Sequence, residues 1–299
     1  MTSSTPLVVE PSWALIEAPG ATGPGLPPGT RLLADASVVV EQGRIAEVRE
    51  GRLTGTHRRL RADGCLLLPG LVSAHTHTAA GSPTRGLIES GRPYLRPLEL
   101  VEALDDDALD AVTAWNLAGL LRSGCTAQVE MSLSLRQAQS YVRVARRWGA
   151  RGWPGPMVPG IARLAAVWFR ATDDELHAAT PATLAEIEAA LAWAREVAAA
   201  EPAGRGGTPA LLQPQVALHA TDTHTPQTLA AARAAAGELG TGLHVHLAQR
   251  DGEGEVTRRL WGCTPAELLE RAGFGGAAGG PLLAAHLTAA DLAAEPPVL

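Results

Sequence analysis

Three features that would redirect the reading are scarce or missing. Cysteine occurs only as Cys65, Cys125 and Cys263, odd in number and widely spaced, which argues against a disulfide framework and fits a reducing compartment. No uninterrupted apolar run approaches the roughly 18 to 20 residues of a bilayer span. The opening MTSSTP lacks the basic region and apolar core of a leader. Positive charge is not in excess either: the net charge is -6, so the chain offers no cationic surface to a nucleic acid or an acidic membrane. What is present is 299 residues, 46% of them apolar, enough to bury a large core. The expectation is a soluble cytoplasmic protein with no nucleic-acid or membrane partner.

Short apolar runs punctuate the first part. Val38 to Val40, the turn Glu41-Gln42-Gly43-Arg44 and Ile45 to Val48 read as two strands, with Gly43 at a positive φ. A third run, Leu66 to Leu68, follows a polar stretch around Arg58, Arg59 and Arg61, while residues 19–29 read as a loose Pro/Gly connection. Beyond Leu71 the pattern alternates strands with helices. Asp105 to Arg122, Leu135 to Trp148, Pro181 to Ala200 and Pro226 to Leu239 are predicted helices, and a capping box at Thr264 and Glu267 starts another. In the helix from Pro181, Thr180 is the expected cap. Gly124 to Val129, Val216 to Leu218, Gly242 to Leu247 and Leu282 to Ala285 are predicted strands, and residues 149–160 read as a Gly/Pro break. Trp115 and Trp148 are expected in the core, and Trp168 and Phe169 in a pocket lining or in packing. The period fits a parallel β/α architecture, whose active residues gather at the carboxyl ends of strands.

Histidines recur at such ends. His75 and His77 close the run Leu66 to Ala74, and alternate residues of a strand point the same way, so two imidazoles stand side by side. His219 with His224, His244 with His246, and His286 end further strands. A single pair such as His244 and His246 is open to an accidental reading, but the recurrence favours metal ligation, and imidazole suits zinc or iron.

These residues carry a resemblance. The run Leu68-Pro69-Gly70-Leu71-Val72-Ser73-Ala74-His75-Thr76-His77 resembles the first barrel strand of the amidohydrolase superfamily, in its cytosine-deaminase and chlorohydrolase-like branch. His244-Val245-His246-Leu247-Ala248-Gln249 resembles the fifth. The resemblance implies an α/β fold, a (β/α)8 TIM-barrel of metallo-dependent hydrolase type, incomplete here with about six strands. It divides the chain into a small N-terminal β domain at 1–68 and a barrel at 69–299. It implies that His75, His77 and His246 bind one divalent metal ion, zinc first and iron second, and that His219 and Arg85 face a small-molecule substrate. Asp222 and His224 either reach the pocket or belong to a polar loop. A homodimer is a further implication. Lacking a lysine at the relevant strand end, the chain is similar to the one-metal members.

Two departures shape the functional expectation. Gln249 stands where the deaminase pattern has Glu, and an amide cannot transfer protons near neutral pH, so its role is catalytic only through hydrogen bonding, or it holds a substrate carbonyl or amide. After Asp291 no seventh or eighth strand and no terminal-strand Asp follow, Glu130 and Asp222 being the nearest acidic substitutes, so the chain is expected to be a truncated product or one part of a longer polypeptide. His286 is read either as part of the metal and catalytic site or as a cap near a helix start. The expected activity is metal-dependent hydrolysis of a non-peptide carbon-nitrogen bond in a small nitrogen heterocycle or cyclic amidine, of aminohydrolase type. The alternatives are a catalytically incomplete family fragment or binding protein, and a hydrolase that opens a cyclic amide.

Overall fold

The computed structural model describes residues 5–21, 25–85, 95–163, 172–201, 210–249, 251–275 and 280–287. The chain divides into two compact units, Met1–Leu71 and Val72–Leu299. In the first unit β1 (Leu7–Glu17), β2 (Thr30–Ala34), β3 (Ser37–Glu41), β4 (Arg44–Arg49) and β5 (Arg58–Leu67) form one sheet of order β2-β1-β3-β4, with β5 also on β1. β1 runs antiparallel to β2 and β3 and parallel to β5. The β3–β4 hairpin turns through Gln42 (φ 50°) and Gly43 (φ 78°), two left-handed residues in a row, whose twist matches that of the flanking strands. Ala14, Leu33 and Ala36 form a small core, and Arg59 donates to the buried Glu10 carboxylate.

Two features of this unit differ from expectation. β1 is absent from the sequence reading because Glu10 and Pro11 interrupt its alternation. The structure absorbs them with a register shift between Pro11 and Trp13, a bulge that spares the ladder the missing proline N–H. The arginine-rich stretch is strand as well, since β5 begins at Arg58; its polarity reflects an exposed face rather than a loop.

The second unit is built on β6 (Leu71–Thr76), β7 (Cys125–Ser132), β8 (Arg151–Val158), β9 (Val216–Ala220), β10 (Leu243–Leu247) and β11 (Leu282–His286), in the order β11-β10-β9-β8-β7-β6. The registers from β7 to β11 are all parallel. Helices α1 (Gly81–Thr84), α2 (Leu95–Glu102), α3 (Asp106–Arg122), α4 (Leu135–Trp148), α5 (Asp173–Ala200), α6 (Pro226–Leu239), α7 (Asp251–Trp261) and α8 (Pro265–Arg271) alternate with them. This is the expected α/β barrel architecture, with six strands among the described residues. The main core packs Leu218, Leu243, Val245 and Leu247 of the sheet against Leu229, Ala232 and Ala236 of α6 and Leu268 and Leu269 of α8. Among the described residues no helix is long and apolar enough to cross a membrane.

Sequence and structure part company at four places here. Residues 151–158, read as a break, are β8 despite Pro154 and Pro156. The 152 and 154 carbonyls face Gln213 and Gln215, so alternation directs the odd-numbered residues at β7 and the prolines forfeit donors only on the other side. Helix α5 starts eight residues before Pro181, because Thr172 and Glu175 form a capping box. Thr180 is not a cap; its hydroxyl donates to Leu176 O at 2.9 Å, inside the helix. Trp115 is 74% exposed, since α3 buries Leu109, Thr113 and Leu117 and a residue two positions from that stripe faces away. Trp148, at the end of α4, is exposed too, whereas Trp168 and Phe169 lie outside the described residues.

Candidate metal centre

Strand alternation sets the site. On β10, Leu243, Val245 and Leu247 enter the helix-packed core, which leaves His244 and His246 on the opposite face. His75 on β6, His77 just beyond it, His219 on β9 and His286 at the end of β11 meet them there. The His75 ring centroid is 4.7 Å from His77, 5.0 Å from His244, 5.1 Å from His246 and 5.4 Å from His286. His246 is 5.5 Å from His219 and 5.1 Å from His286. β6 and β11 are the two edges of the sheet, so the sheet must curl until its first and last strands face each other. His286 is held at φ 86°, a left-handed conformation that a non-glycine residue adopts at an energetic cost.

The ring nitrogens face inward. One nitrogen from each of His75, His246 and His286 lies within 4.8 Å of the others, and His77 Nε2 is 3.3 Å from His246 Nε2. Nitrogens bound at 2.0 to 2.1 Å to a tetrahedral ion stand about 3.3 Å apart, so this pair has the spacing of two ligands. His77 Nδ1 donates to Met131 O at 2.6 Å, which fixes the tautomer and leaves a lone pair on Nε2. His246 Nδ1 is buried without a hydrogen-bond partner, so the polar contacts of this ring run through Nε2, the nitrogen that faces His77. Burial lowers the basicity of His75, His77, His244, His246 and His286, and neighbouring imidazoles add to the effect for the first four. His75 falls to about 4 and His244 to about 3, and His77, His246 and His286 shift the same way. At neutral pH these five imidazoles are uncharged, and the residues fit a bound cation.

The carboxylates near the site are engaged elsewhere. Glu130 on β7 is buried and accepts from Thr78 N at 3.0 Å, Thr78 Oγ1 at 2.5 Å and Ser132 Oγ at 2.8 Å. It pins the residue that follows His77, and burial raises its pKa to about 7 against those hydrogen bonds. Glu253 in α7 accepts from Thr221 Oγ1 at 2.7 Å and from Gln249 N at 3.1 Å, stapling the turn after β9 to the turn after β10. Gln249 itself has an exposed side chain, and the bond it makes to Glu253 is through its backbone. His224 faces Val158 O and Thr228 Oγ1, contacts that hold the loop, and Asp222 is buried in the turn Thr221–Thr223. A Cβ on Gly160 would lie 2.1 Å from Thr223 O, so this loop crossing requires glycine. Arg85 is exposed and shares with His77, Trp115 and Asn116 a cleft of about 700 Å³. The sequence reading passed over Gln215, Glu253 and the engagement of His244. The His-x-His spacing marks His244, whereas no local pattern marks the other two.

A family model described as the amidohydrolase family matches residues 66–294. The chain is similar to a 5-methylthioadenosine/S-adenosylhomocysteine deaminase of Desulfovibrio desulfuricans, with 30% identity over 272 residues, 86% of this chain and 53% of that protein. It therefore spans about half the length of the curated relatives it matches. Among solved structures it is similar in fold to the guanine deaminase of E. coli (TM-score 0.66, 18% identity, 92% of this chain and 61% of that one). It is likewise similar to a zinc complex of atrazine chlorohydrolase from Arthrobacter aurescens (TM-score 0.64, 17% identity, 96% and 66%). These 299 residues hold no lysine, so no bridging lysine lies within them, and with its family match over residues 66–294 and its histidine-lined β/α sheet this chain belongs to the amidohydrolase family.

Proposed function

We propose that the chain serves in the metal-dependent hydrolysis of a carbon-nitrogen bond of a small nitrogen heterocycle, an aminohydrolase reaction. The observation that carries the reading is the convergence of histidines from β6, β10 and β11, the first, fifth and sixth strands of the sheet, on one point. His75, His77 and His246 would hold one divalent ion, zinc before iron given an all-imidazole set. When bound, such an ion supplies an acidified water and polarises the substrate. His219, packed against His246, and Arg85, on the cleft beside His77, would orient the substrate. His286 is exposed, and burial of its ring neighbourhood lowers its pKa, so it would be the uncharged group open to accept a proton. Gln249 can hold a substrate carbonyl or amide by hydrogen bonding and cannot shuttle a proton, which favours ring opening of a cyclic amide as the second reading.

Metal analysis of the purified protein, followed by a panel of amino-substituted and cyclic-amide heterocycles, tests this. Stoichiometric zinc or iron, lost in His77→Ala, with ammonia released from an amino-heterocycle is the expected result. A carboxylate product without ammonia would establish the second reading, and absence of bound metal would overturn both.

A further inference from the structure

His244 is completely buried and stands between two partners. Its Nδ1 is 3.2 Å from Gln215 Nε2, and its Nε2 is 2.9 Å from His75 Nδ1. The orientation of the Gln215 amide is settled by its other neighbours. The same Nε2 lies 2.9 Å from Trp153 O and 3.4 Å from Glu130 O, and backbone carbonyls only accept, so the amino end of the amide faces this group.

The polarity of the row follows. An amide amino group has two hydrogens and does not accept; one is directed at Trp153 O and the other is shared between His244 Nδ1 and the more distant Glu130 O, so His244 Nδ1 accepts. A neutral imidazole that accepts at Nδ1 carries its proton on Nε2, and that N–H points at His75 Nδ1. His75 therefore accepts at Nδ1 and keeps its own proton on Nε2. Its remaining nitrogen, the one left over for an ion, presents a hydrogen rather than a lone pair. His77 is arranged in the opposite sense, because its Nδ1–H is directed at Met131 O.

We propose that Gln215 and His244 are positioning residues that lock the tautomer of His75 and so set the affinity of the site for metal. His75 offers Nε2 to an ion only when the row reverses. Its proton then sits on Nδ1 and is donated to His244 Nε2, and the His244 proton sits on Nδ1. Each imidazole holds one proton before and after, so none is gained or lost. The reversal sets His244 Nδ1–H against the Gln215 amino group, and the amide must turn away from Trp153 O and Glu130 O to relieve it. The lock thus opposes metal uptake by about the worth of one hydrogen bond.

The proposal rests on the metal-site reading, and the experiment separates the two. Zinc affinity is measured by competition with a chelator for the wild type and for Gln215→Met, which keeps the volume and removes the donor. The lock predicts binding about tenfold tighter in the variant, the equivalent of one hydrogen bond. Unchanged affinity, or the roughly 10- to 100-fold weakening expected of an ordinary supporting partner, would overturn it. Nitrogen-15 spectra of the histidine rings of the wild type give a second readout that does not depend on Gln215→Met, with His75 assigned by its loss in His75→Gln. In zinc-free protein His75 is expected to be protonated at Nε2, moving to Nδ1 on addition of zinc; a proton on Nδ1 before zinc is added would refute the lock. If zinc does not bind at all the metal-site reading fails, and the zinc-free spectrum still decides the tautomer.

Discussion

Strand β4 pairs on one side with β3 and strand β10 on both sides with β9 and β11, and all six residues of β4 are exposed while all five of β10 are buried. β4 lies at the end of its sheet's strand order. β10 is packed by helices on one face and by the histidine cluster on the other. Pairing satisfies the backbone of β10 on both sides and that of β4 on one, and only β10 converts its side chains into stability and into a site. A buried strand can hold two imidazoles in register because its apolar alternates anchor it, and the same burial is what keeps those imidazoles uncharged.

Three measurements would break or sharpen the contrast. The largest effect is expected from Leu218→Ala. Leu218 is fully buried in β9 beside β10, and its loss should cost about 2 to 5 kcal/mol in urea unfolding; a cost below about 1 kcal/mol would mean that the layer is not close-packed. Next comes the pH dependence of the metal-free protein. His75, His77, His244, His246 and His286 have lowered pKa values, so the unfolded chain binds more protons than the native one below about 6.5, and stability should fall as the pH drops toward 4. Glu130 acts in the other direction. Its pKa rises from 4.5 to about 7, so its carboxyl favours the native state most below 4.5 and that contribution is lost as the pH rises to 7. Glu130→Gln should therefore steepen the acid loss by up to about 1.4 kcal/mol per pH unit between 4.5 and 7, and an unchanged slope would remove Glu130 from the balance. The smallest effect belongs to Ile45→Ser on β4. Ile45 is 67% exposed, and the substitution should shift stability by no more than about 0.5 kcal/mol; a larger loss would show that something covers this face.

Legibility followed the kind of signal each segment carries. Helices α4 and α6 were readable to the residue, because a serine or threonine cap opens each and a left-handed glycine, Gly149 or Gly240, closes it. β8 was not, because proline and glycine ordinarily mark a break and only the bonding direction of its neighbours makes them tolerable. α5 was misjudged at its start for a similar reason: two capping signals compete, and packing of the earlier turn decided between them. Trp115 looked apolar enough for the core, but burial on a helix belongs to a stripe rather than to a residue type.

The sequence by itself determined the alternation of strand and helix, the recurrence of histidine at strand ends and, through the run from Leu68 to His77, the family. Those properties are local: they depend on side-chain period, capping chemistry and short motifs. Only the tertiary structure decided that His286 reaches His75, that Glu130 is spent on Thr78, and that Gln215 faces His244. Each of these joins residues that are distant along the chain, and such a meeting depends on how the sheet curls and on where burial forces a polar atom to find its partner.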